Sequence, residues 1–176
     1  RKRKQTLKAE LQSGKKSSVV NIPGSDWWYS LGLNNKVFEM GGQLEVDLQE
    51  NHHIYLSYKE SNVNFSQRPK FPISFEEDKV TCEMIGKSSD SLKATLHLIG
   101  YKDNKKIMFH KIPLNKKQTV EVEKGKIDFY RVAIKLQGRG SFDLQKIKLG
   151  NMTILGFQKI SPNNTSKSEF INEGFN

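Results

Sequence analysis

The aromatic side chains near the N-terminus have the types and spacing that suit sugar binding. Trp27, Trp28 and Tyr29 are adjacent in a predicted loop rich in glycine, serine and aspartate. A sugar presents apolar C–H faces that stack on aromatic rings, while nearby polar groups satisfy its hydroxyls. The sequence therefore predicts a carbohydrate-binding site. Its candidate residues are Trp27, Trp28, Tyr29, Tyr58, Tyr101 and Arg131.

A competing interpretation of the two tryptophans is that they close one end of the hydrophobic core. Neighbouring residues of an extended segment point to opposite faces, so Trp27 and Trp28 cannot both face the core. One of the two rings is therefore expected at the surface or against the basic N-terminal residues. The other is expected to bury its large apolar area inside the protein.

Catalytic and metal-binding motifs are absent from the sequence. The four histidines lack the spacing of a zinc site, and Cys82, the only cysteine, has no identifiable partner base. There is no nucleophile elbow, phosphate loop or dinucleotide fingerprint. We therefore predict a protein that is not itself an enzyme and needs no cofactor. A structural calcium ion stays open as an alternative, held by loop carboxylates such as Asp26, Asp47, Asp90 and Asp143.

Short strands with alternating apolar and polar residues are the elements that must position these side chains. Leu44, Val46 and Leu48 are expected to face inward, and Glu45 and Asp47 outward. Similar runs recur along the chain, as at residues 71–75, and are joined by polar turns, as at residues 103–104, where Asp and Asn suit a tight turn. This gives about ten to twelve strands. The pattern predicts an all-β, antiparallel β-sandwich.

The strongest strand pattern surrounds the glycine-rich segment 137–140. Apolar residues occupy every second position in residues 129–136, and the alternation resumes at residues 142 and 144 and again at 147 and 149. This pattern predicts a β-hairpin that turns at the glycines. A phosphate-binding loop would need a helix N-terminus behind it, which the pattern does not provide.

The chain of 176 residues divides by composition into three parts. Residues 1–17 are predicted to form a short basic helix or arm, residues 18–160 the sandwich, and residues 161–176 a polar tail. Residues 1–17 contain seven lysines and arginines against one glutamate, which supplies +6 of the chain's formal charge of +10. We rank nucleic-acid binding last, because the remaining residues show no concentrated basic face in the sequence.

Three features of the sequence indicate the cellular location of the protein and its relation to a larger chain. No apolar run approaches the roughly 20 residues of a membrane span. The lack of disulfides favours a cytoplasmic or membrane-associated bacterial location. Because the chain begins at Arg1 rather than methionine, we expect a piece of a larger protein.

Three segments together resemble a known class of module. Residues 44–48 and 92–101 alternate, and residues 130–147 begin with a Tyr-Arg strand, continue to Gly-x-Gly and resume alternation. Over residues 36–157 this pattern resembles galactose-binding-like jelly rolls. It is most similar to accessory β-sandwich domains of bacterial cell-surface polysaccharide and teichoic-acid glycosyltransferases. The resemblance implies a non-catalytic module that binds a glycan or polysaccharide, or positions a neighbouring catalytic domain of the same polypeptide. A structural domain that oligomerises or braces a partner is the alternative.

Overall fold

The computed structural model describes residues 18–32, 35–39 and 41–157. These residues form eleven β-strands and no helix. The predicted N-terminal basic helix or arm and the predicted C-terminal tail lie outside the described residues. The strands are β1 (Ser18–Asn21), β2 (Trp27–Leu31), β3 (Lys36–Glu39), β4 (Leu44–Asp47), β5 (His53–Tyr58), β6 (Lys79–Ser88), β7 (Leu92–Lys102), β8 (Lys105–Pro113), β9 (Lys117–Glu121), β10 (Phe129–Leu149) and β11 (Met152–Leu155).

A single antiparallel sheet is built around β10, which is 21 residues long. The first part of β10 pairs with β5 on one side and with β7 on the other. With β1, β2 and β8 these strands make a first half-sheet in the order β1-β2-β5-β10-β7-β8. The second part of β10 pairs with β4, β6 and β11, and β3 and β9 complete a second half-sheet.

Apolar side chains from both half-sheets meet in one hydrophobic core. Leu96 and Ile134 of the first half-sheet and Met84 and Leu144 of the second belong to the same fully buried cluster. The sheet must therefore curl so that its two halves share an inner face. This confirms the predicted all-β antiparallel class. The finer assignment to a β-sandwich or a jelly roll stays a prediction.

The glycine-rich segment is a bend within one strand, so the predicted hairpin is wrong. β10 continues from Phe129 to Leu149 through Gly138 and Gly140, whose φ angles are 102° and 141°. A Cβ at Gly138 would lie 2.2 Å from the carbonyl oxygen of Ser91. Gly138 therefore lets β10 pass close to another backbone as it changes partners.

Two further segments differ from their predicted structure. The aromatic segment beginning at Trp27 is strand β2 and not a loop, because it pairs with β1 and β5. Residues 71–75 were expected to form a strand, but only Ile73 makes an isolated bridge, to Tyr130. On that side β10 is already paired with β5 from Ala133 to Gln137, so only the start of β10 is left for this segment.

A long connection covers part of the outer face of the first half-sheet, the face turned away from the core. We call residues 59–72 the covering segment. Its Phe65 packs in a second cluster with Ile99, Tyr101 and Ala133. Glu60 of the segment forms a buried ion pair with Arg131 of β10, with 3.6 Å between the carboxylate and guanidinium atoms. The segment is thus fixed to the sheet by packing and by buried charge.

Candidate functional site

The first two predicted sugar-binding rings on the inner face of β2 are buried. Trp27 is fully buried, and its indole Nε1 donates a hydrogen bond to the Leu155 carbonyl over 2.9 Å. Tyr29 donates to the carboxylate of Glu39 over 3.3 Å, and burial together with that charge raises the pKa of Tyr29 to about 12. Both rings therefore close the core, as the competing interpretation required.

Tyr101 and Arg131 hold the covering segment in place. The Tyr101 hydroxyl donates to the Phe65 carbonyl over 2.6 Å. Arg131 donates to the Ser57 hydroxyl over 3.0 Å and to the Asn62 carbonyl, and its side chain is 2% exposed. Neither side chain is available to a ligand unless the covering segment moves.

Trp28 and Tyr58 are the two predicted residues that remain partly exposed, and they lie on opposite faces. Tyr58 pairs with Trp27 and its ring contacts that of Trp27, with 5.4 Å between centroids. Trp28 pairs with Ser57 and points to the outer face. The predicted six-residue platform is therefore not assembled, and Trp28 is its one partly exposed member on the outer face, where Tyr101 and Arg131 are buried beneath the covering segment.

The outer face of the first half-sheet also carries side chains that come together only through strand pairing. Residues directly opposite each other in paired strands point to the same face. Successive pairings therefore place one row of residues across five strands. Neighbouring strands in a sheet are about 4.8 Å apart. That row is Trp28, Ser57, Ala133, His97 and Lys111. Phe65 of the covering segment packs on Ala133 in its middle.

Beyond the covering segment, this face forms a pocket of about 180 Å³ between β7, β8 and β10. We call it the basic pocket. No carboxylate is among the described residues that line it, and none of its lysines makes a salt bridge within the described part of the chain. Its lining residues are Lys93, Thr95, His97, Lys111, Pro113, Lys135 and Gln137.

His97 is the most constrained side chain of the basic pocket. Its imidazole stacks on Phe109 at 5.6 Å with an interplanar angle of 9°, and it meets the Tyr55 ring at 5.5 Å. The residue is 4% exposed, and its Nε2 has no hydrogen-bond partner among the described residues. Burial lowers the pKa of His97 to about 4, and the charges of Lys111 and Lys135 act in the same direction. The imidazole is therefore neutral at pH 7.

His97 should make the stability of the protein depend on pH. The unfolded chain binds a proton at His97 below about pH 6.5, whereas the native chain does so only near pH 4. The free energy of unfolding should therefore fall as pH is lowered through this window, by at most about 3 kcal/mol. Urea unfolding from pH 7 to pH 4 should show a shallower loss in His97→Gln than in the wild type.

An exposed histidine supplies the matched control for this measurement. His52→Gln changes a residue at the surface, outside the basic pocket. A His97→Gln profile parallel to that of the wild type would contradict the assignment of the pH dependence to this buried imidazole.

Sequence reasoning missed the basic pocket because its lysines are far apart along the chain. Lys93, Lys111 and Lys135 belong to three strands, and each resembles an ordinary solvated position when considered alone. A weak signal was present in Lys93-x-Thr95-x-His97, where a histidine shares one strand face with polar residues. Only the strand register shows that Lys111 and Lys135 lie beside that histidine and that Lys93 lines the same pocket.

The described part of the chain contains neither a cluster of metal ligands nor an activated nucleophile. Within those ranges, no three or more histidine, cysteine, aspartate or glutamate side chains are grouped to hold a metal ion. Cys82 is fully buried in β6, and burial raises the pKa of its thiol to about 11. The thiol therefore stays protonated and unreactive at neutral pH. Within the same ranges, no helix is long and apolar enough to cross a membrane.

Comparison with known proteins gives structural similarities at low identity. No family model matches the sequence, and no curated protein matches it. The chain is similar to a chain of the glycosylation-associated protein (Gap123) complex of Streptococcus agalactiae, with 12% identity and a TM-score of 0.49. That alignment covers 76% of this chain and 25% of the other, so this chain spans about a quarter of its length.

A second solved structure is that of accessory secretory proteins 1, 2 and 3 of Streptococcus pneumoniae. The identity is 8% and the TM-score 0.43, over 66% of this chain and 88% of the other. Both TM-scores lie below 0.5, so neither similarity by itself establishes the function of this chain.

Proposed function

We propose that this chain is a non-catalytic, carbohydrate-binding accessory module of a larger bacterial protein that processes cell-surface glycans. The observation that carries the proposal is the outer face of the first half-sheet, where Trp28 and the basic pocket lie in one row of paired strands. Trp28 would stack on a sugar ring, and the polar residues of the pocket would hydrogen-bond its substituents.

The non-catalytic part of the proposal is supported by the state of the reactive side chains. The Cys82 thiol is buried and protonated, and His97 has no carboxylate or nucleophile among its ring contacts. A general base must lie within hydrogen-bonding reach of the group that it deprotonates. The described residues offer binding groups on the outer face but no such arrangement.

Two additional aromatic residues extend the proposed sugar-binding surface beyond Trp28. Tyr55 is half-buried beside His97, and Phe109 is 46% exposed on its far side. Both lie on the outer face, because Tyr55 pairs with Lys135 and Phe109 with Ile99. A polysaccharide contacting all three rings would pass over the covering segment and span about 20 Å, the width of four strand spacings.

Replacement of Trp28 should weaken glycan binding. Loss of one stacking ring is expected to reduce affinity about tenfold in Trp28→Ala. Tyr58→Ala is the matched control, because Tyr58 lies on the other face. Affinity electrophoresis in gels containing bacterial wall polysaccharides measures both variants. If the folded wild-type protein binds no wall glycan at millimolar sugar concentration, the carbohydrate-binding proposal fails.

A structural role is the second candidate, and exposed apolar side chains at two strands favour it. Phe38 of β3 is 57% exposed and Leu155 of β11 is 47% exposed. Within the described residues β3 pairs only with β4, which leaves its outer edge open to another chain. Light scattering would reveal a dimer, and Phe38→Lys should convert it to a monomer if this edge is the interface.

The two solved structures reported above are assemblies named for glycosylation and for accessory secretion. The proposed accessory role for this chain, with a neighbouring domain or a second protein as its partner, would resemble the roles for which those assemblies are named. The proposal is nevertheless supported by the residues of this chain and not by that similarity. Binding measurements on the isolated chain and on its parent protein therefore decide it.

A further inference from the structure

We infer that the basic pocket binds an oxyanion of the phosphate class that is carried by a glycan polymer. The inference deepens the proposed function, because it gives the charge of the ligand and the place where that charge is bound. The identification of the carrier as a glycan polymer rests on the proposed function. The binding of the anion itself rests only on the residues of the basic pocket.

The charges of the pocket favour an anion. Lys93, Lys111 and Lys135 project from three different strands into one pocket of about 180 Å³, which no described carboxylate lines. Like charges that share a concave surface raise its positive potential, because low-dielectric walls focus the field. An anion in the pocket would contact ammonium groups from β7, β8 and β10 at once. Charge-assisted hydrogen bonds of this kind are short and strong.

The geometry of His97 adds a directional contact to these charges. Phe109 and Tyr55 fix the ring plane, so the imidazole cannot rotate freely to find another partner. Its Nε2 is buried without a partner among the described residues, although a buried polar atom is normally hydrogen-bonded. A ligand oxygen in the pocket would supply that partner when the imidazole is protonated.

Several groups around the imidazole would govern its response to the ligand. After burial, the charges of Lys111 on β8 and Lys135 on β10 lower the pKa of His97 most, and His53 and Lys106 act in the same direction. Tyr55 is the neutral titratable group that packs on the ring. A bound anion offsets these positive charges, which favours the imidazolium. Binding of an anion should therefore strengthen as the pH is lowered toward 5.

The arrangement of the pocket favours a glycan over a nucleic acid as the carrier. The lysines line one small pocket, whereas a nucleic acid needs cations that follow successive phosphates. A second pocket of about 450 Å³ adjoins the first and shares Gln137 with it. Its lining includes the polar side chains of Asn51, His52 and Ser91. Such groups suit the hydroxyls of sugar units on either side of a bound phosphate.

Anion binding can be tested with probes of constant charge. Sulfate and a glycerol phosphate oligomer, whose phosphodiesters do not titrate between pH 5 and 7, would be added to the full chain at matched ionic strength. NMR should show shifts of the His97 ring protons, and calorimetry should show tighter binding at pH 5 than at pH 7. His97→Gln should lose that pH dependence while keeping part of the affinity.

Two lysines on the same strand provide a matched comparison. Lys135→Gln and Lys148→Gln each remove one positive charge from β10, but only Lys135 lines the basic pocket. Lys135→Gln should weaken binding of the oligomer at least tenfold, and Lys148→Gln less than twofold. Equal effects of the two variants would mean that the anion responds only to net charge, which overturns the site.

The outcomes for the site and for the proposed function are distinguishable. Binding of sulfate together with the phosphate oligomer, through Lys135, supports the whole inference. Binding of sulfate without any glycan supports the anion site and removes the carbohydrate-binding function. Binding of a neutral glycan through Trp28 without any anion effect at His97 keeps that function and overturns the inference. Tighter binding of single-stranded nucleic acid than of the oligomer would overturn the glycan as carrier.

Discussion

Replacement of Arg131 by methionine is expected to lower the free energy of unfolding by about 3 to 5 kcal/mol. Arg131 and Glu60 have side chains that are 2% and 1% exposed, and Glu60 also accepts hydrogen bonds from the backbone N–H of Lys70. Removing the guanidinium would leave a carboxylate buried without its counter-ion. The covering segment should then open, because Arg131 also binds the backbone of that segment.

A second arginine on β10 is the control for this experiment. Arg139 forms an ion pair with Asp47 at 3.0 Å, but the two side chains are 73% and 54% exposed. Arg139→Met should therefore cost less than about 1 kcal/mol, as is usual for surface pairs. Urea unfolding measures both costs, and limited proteolysis between residues 59 and 72 reports opening of the covering segment. Similar costs for the two variants would contradict the proposed burial of the Arg131 pair.

The double variant Arg131→Met with Glu60→Gln separates two effects on stability. One is the loss of the ion pair, and the other is the burial of the Glu60 carboxylate without a counter-ion. Replacing both charged partners removes the unpaired buried carboxylate, so the double variant should regain part of the stability that Arg131→Met loses. A double variant that is less stable than either single variant would show that the pair is held mainly by its hydrogen bonds to the covering segment.

Substitution of Gly138 by alanine is expected to destabilise the protein by at least about 3 kcal/mol. The residue has a φ of 102°, which an L side chain rarely adopts, and its Cβ would approach the Ser91 carbonyl oxygen to 2.2 Å. Backbone atoms of two paired strands cannot move apart without breaking the ladder. The bend of β10, and with it the junction of the two half-sheets, should therefore be disturbed.

Three other glycines separate the causes of this effect. In Gly86→Ala the new Cβ would lie 2.3 Å from the Asp143 carbonyl oxygen, although Gly86 has no positive φ. Gly41 has a φ of 59°, but a Cβ there would meet no atom within 4 Å. Gly125→Ala has neither. We expect Gly41→Ala to cost about 1 to 2 kcal/mol and Gly125→Ala less than about 0.5 kcal/mol. Urea midpoints provide the ranking, and a Gly138→Ala cost no larger than that of Gly41→Ala would refute the steric explanation.

The sequence predicted best those features that depend on neighbouring residues. The alternation of Leu44, Val46 and Leu48 reports burial on one face, and the structure buries all three. The turn at Asp103 and Asn104 was predicted from residue types that tolerate positive φ, and both residues adopt it. Local spacing contains this information, because the period of a strand is two residues.

The errors arose where one local pattern has two structural meanings. Glycines between alternating runs suit both a hairpin turn and a close backbone approach, and only the position of Ser91 distinguishes them at Gly138. The basic pocket could not be predicted, because its register joins Lys93, Lys111 and Lys135 across strands that are distant along the chain. Pairing register over such distances is a tertiary property.

The central position of β10 has a consequence for the synthesis of the protein. Without β10, the observed pairings leave four separate groups, which are β1-β2-β5, β3-β4, β6-β9 and β7-β8. A ribosome translates all four groups before it reaches residues 129–149. The nascent chain therefore carries unpaired strand edges and an incomplete core until late in translation. During that interval it is a natural client for chaperones that shield exposed edges.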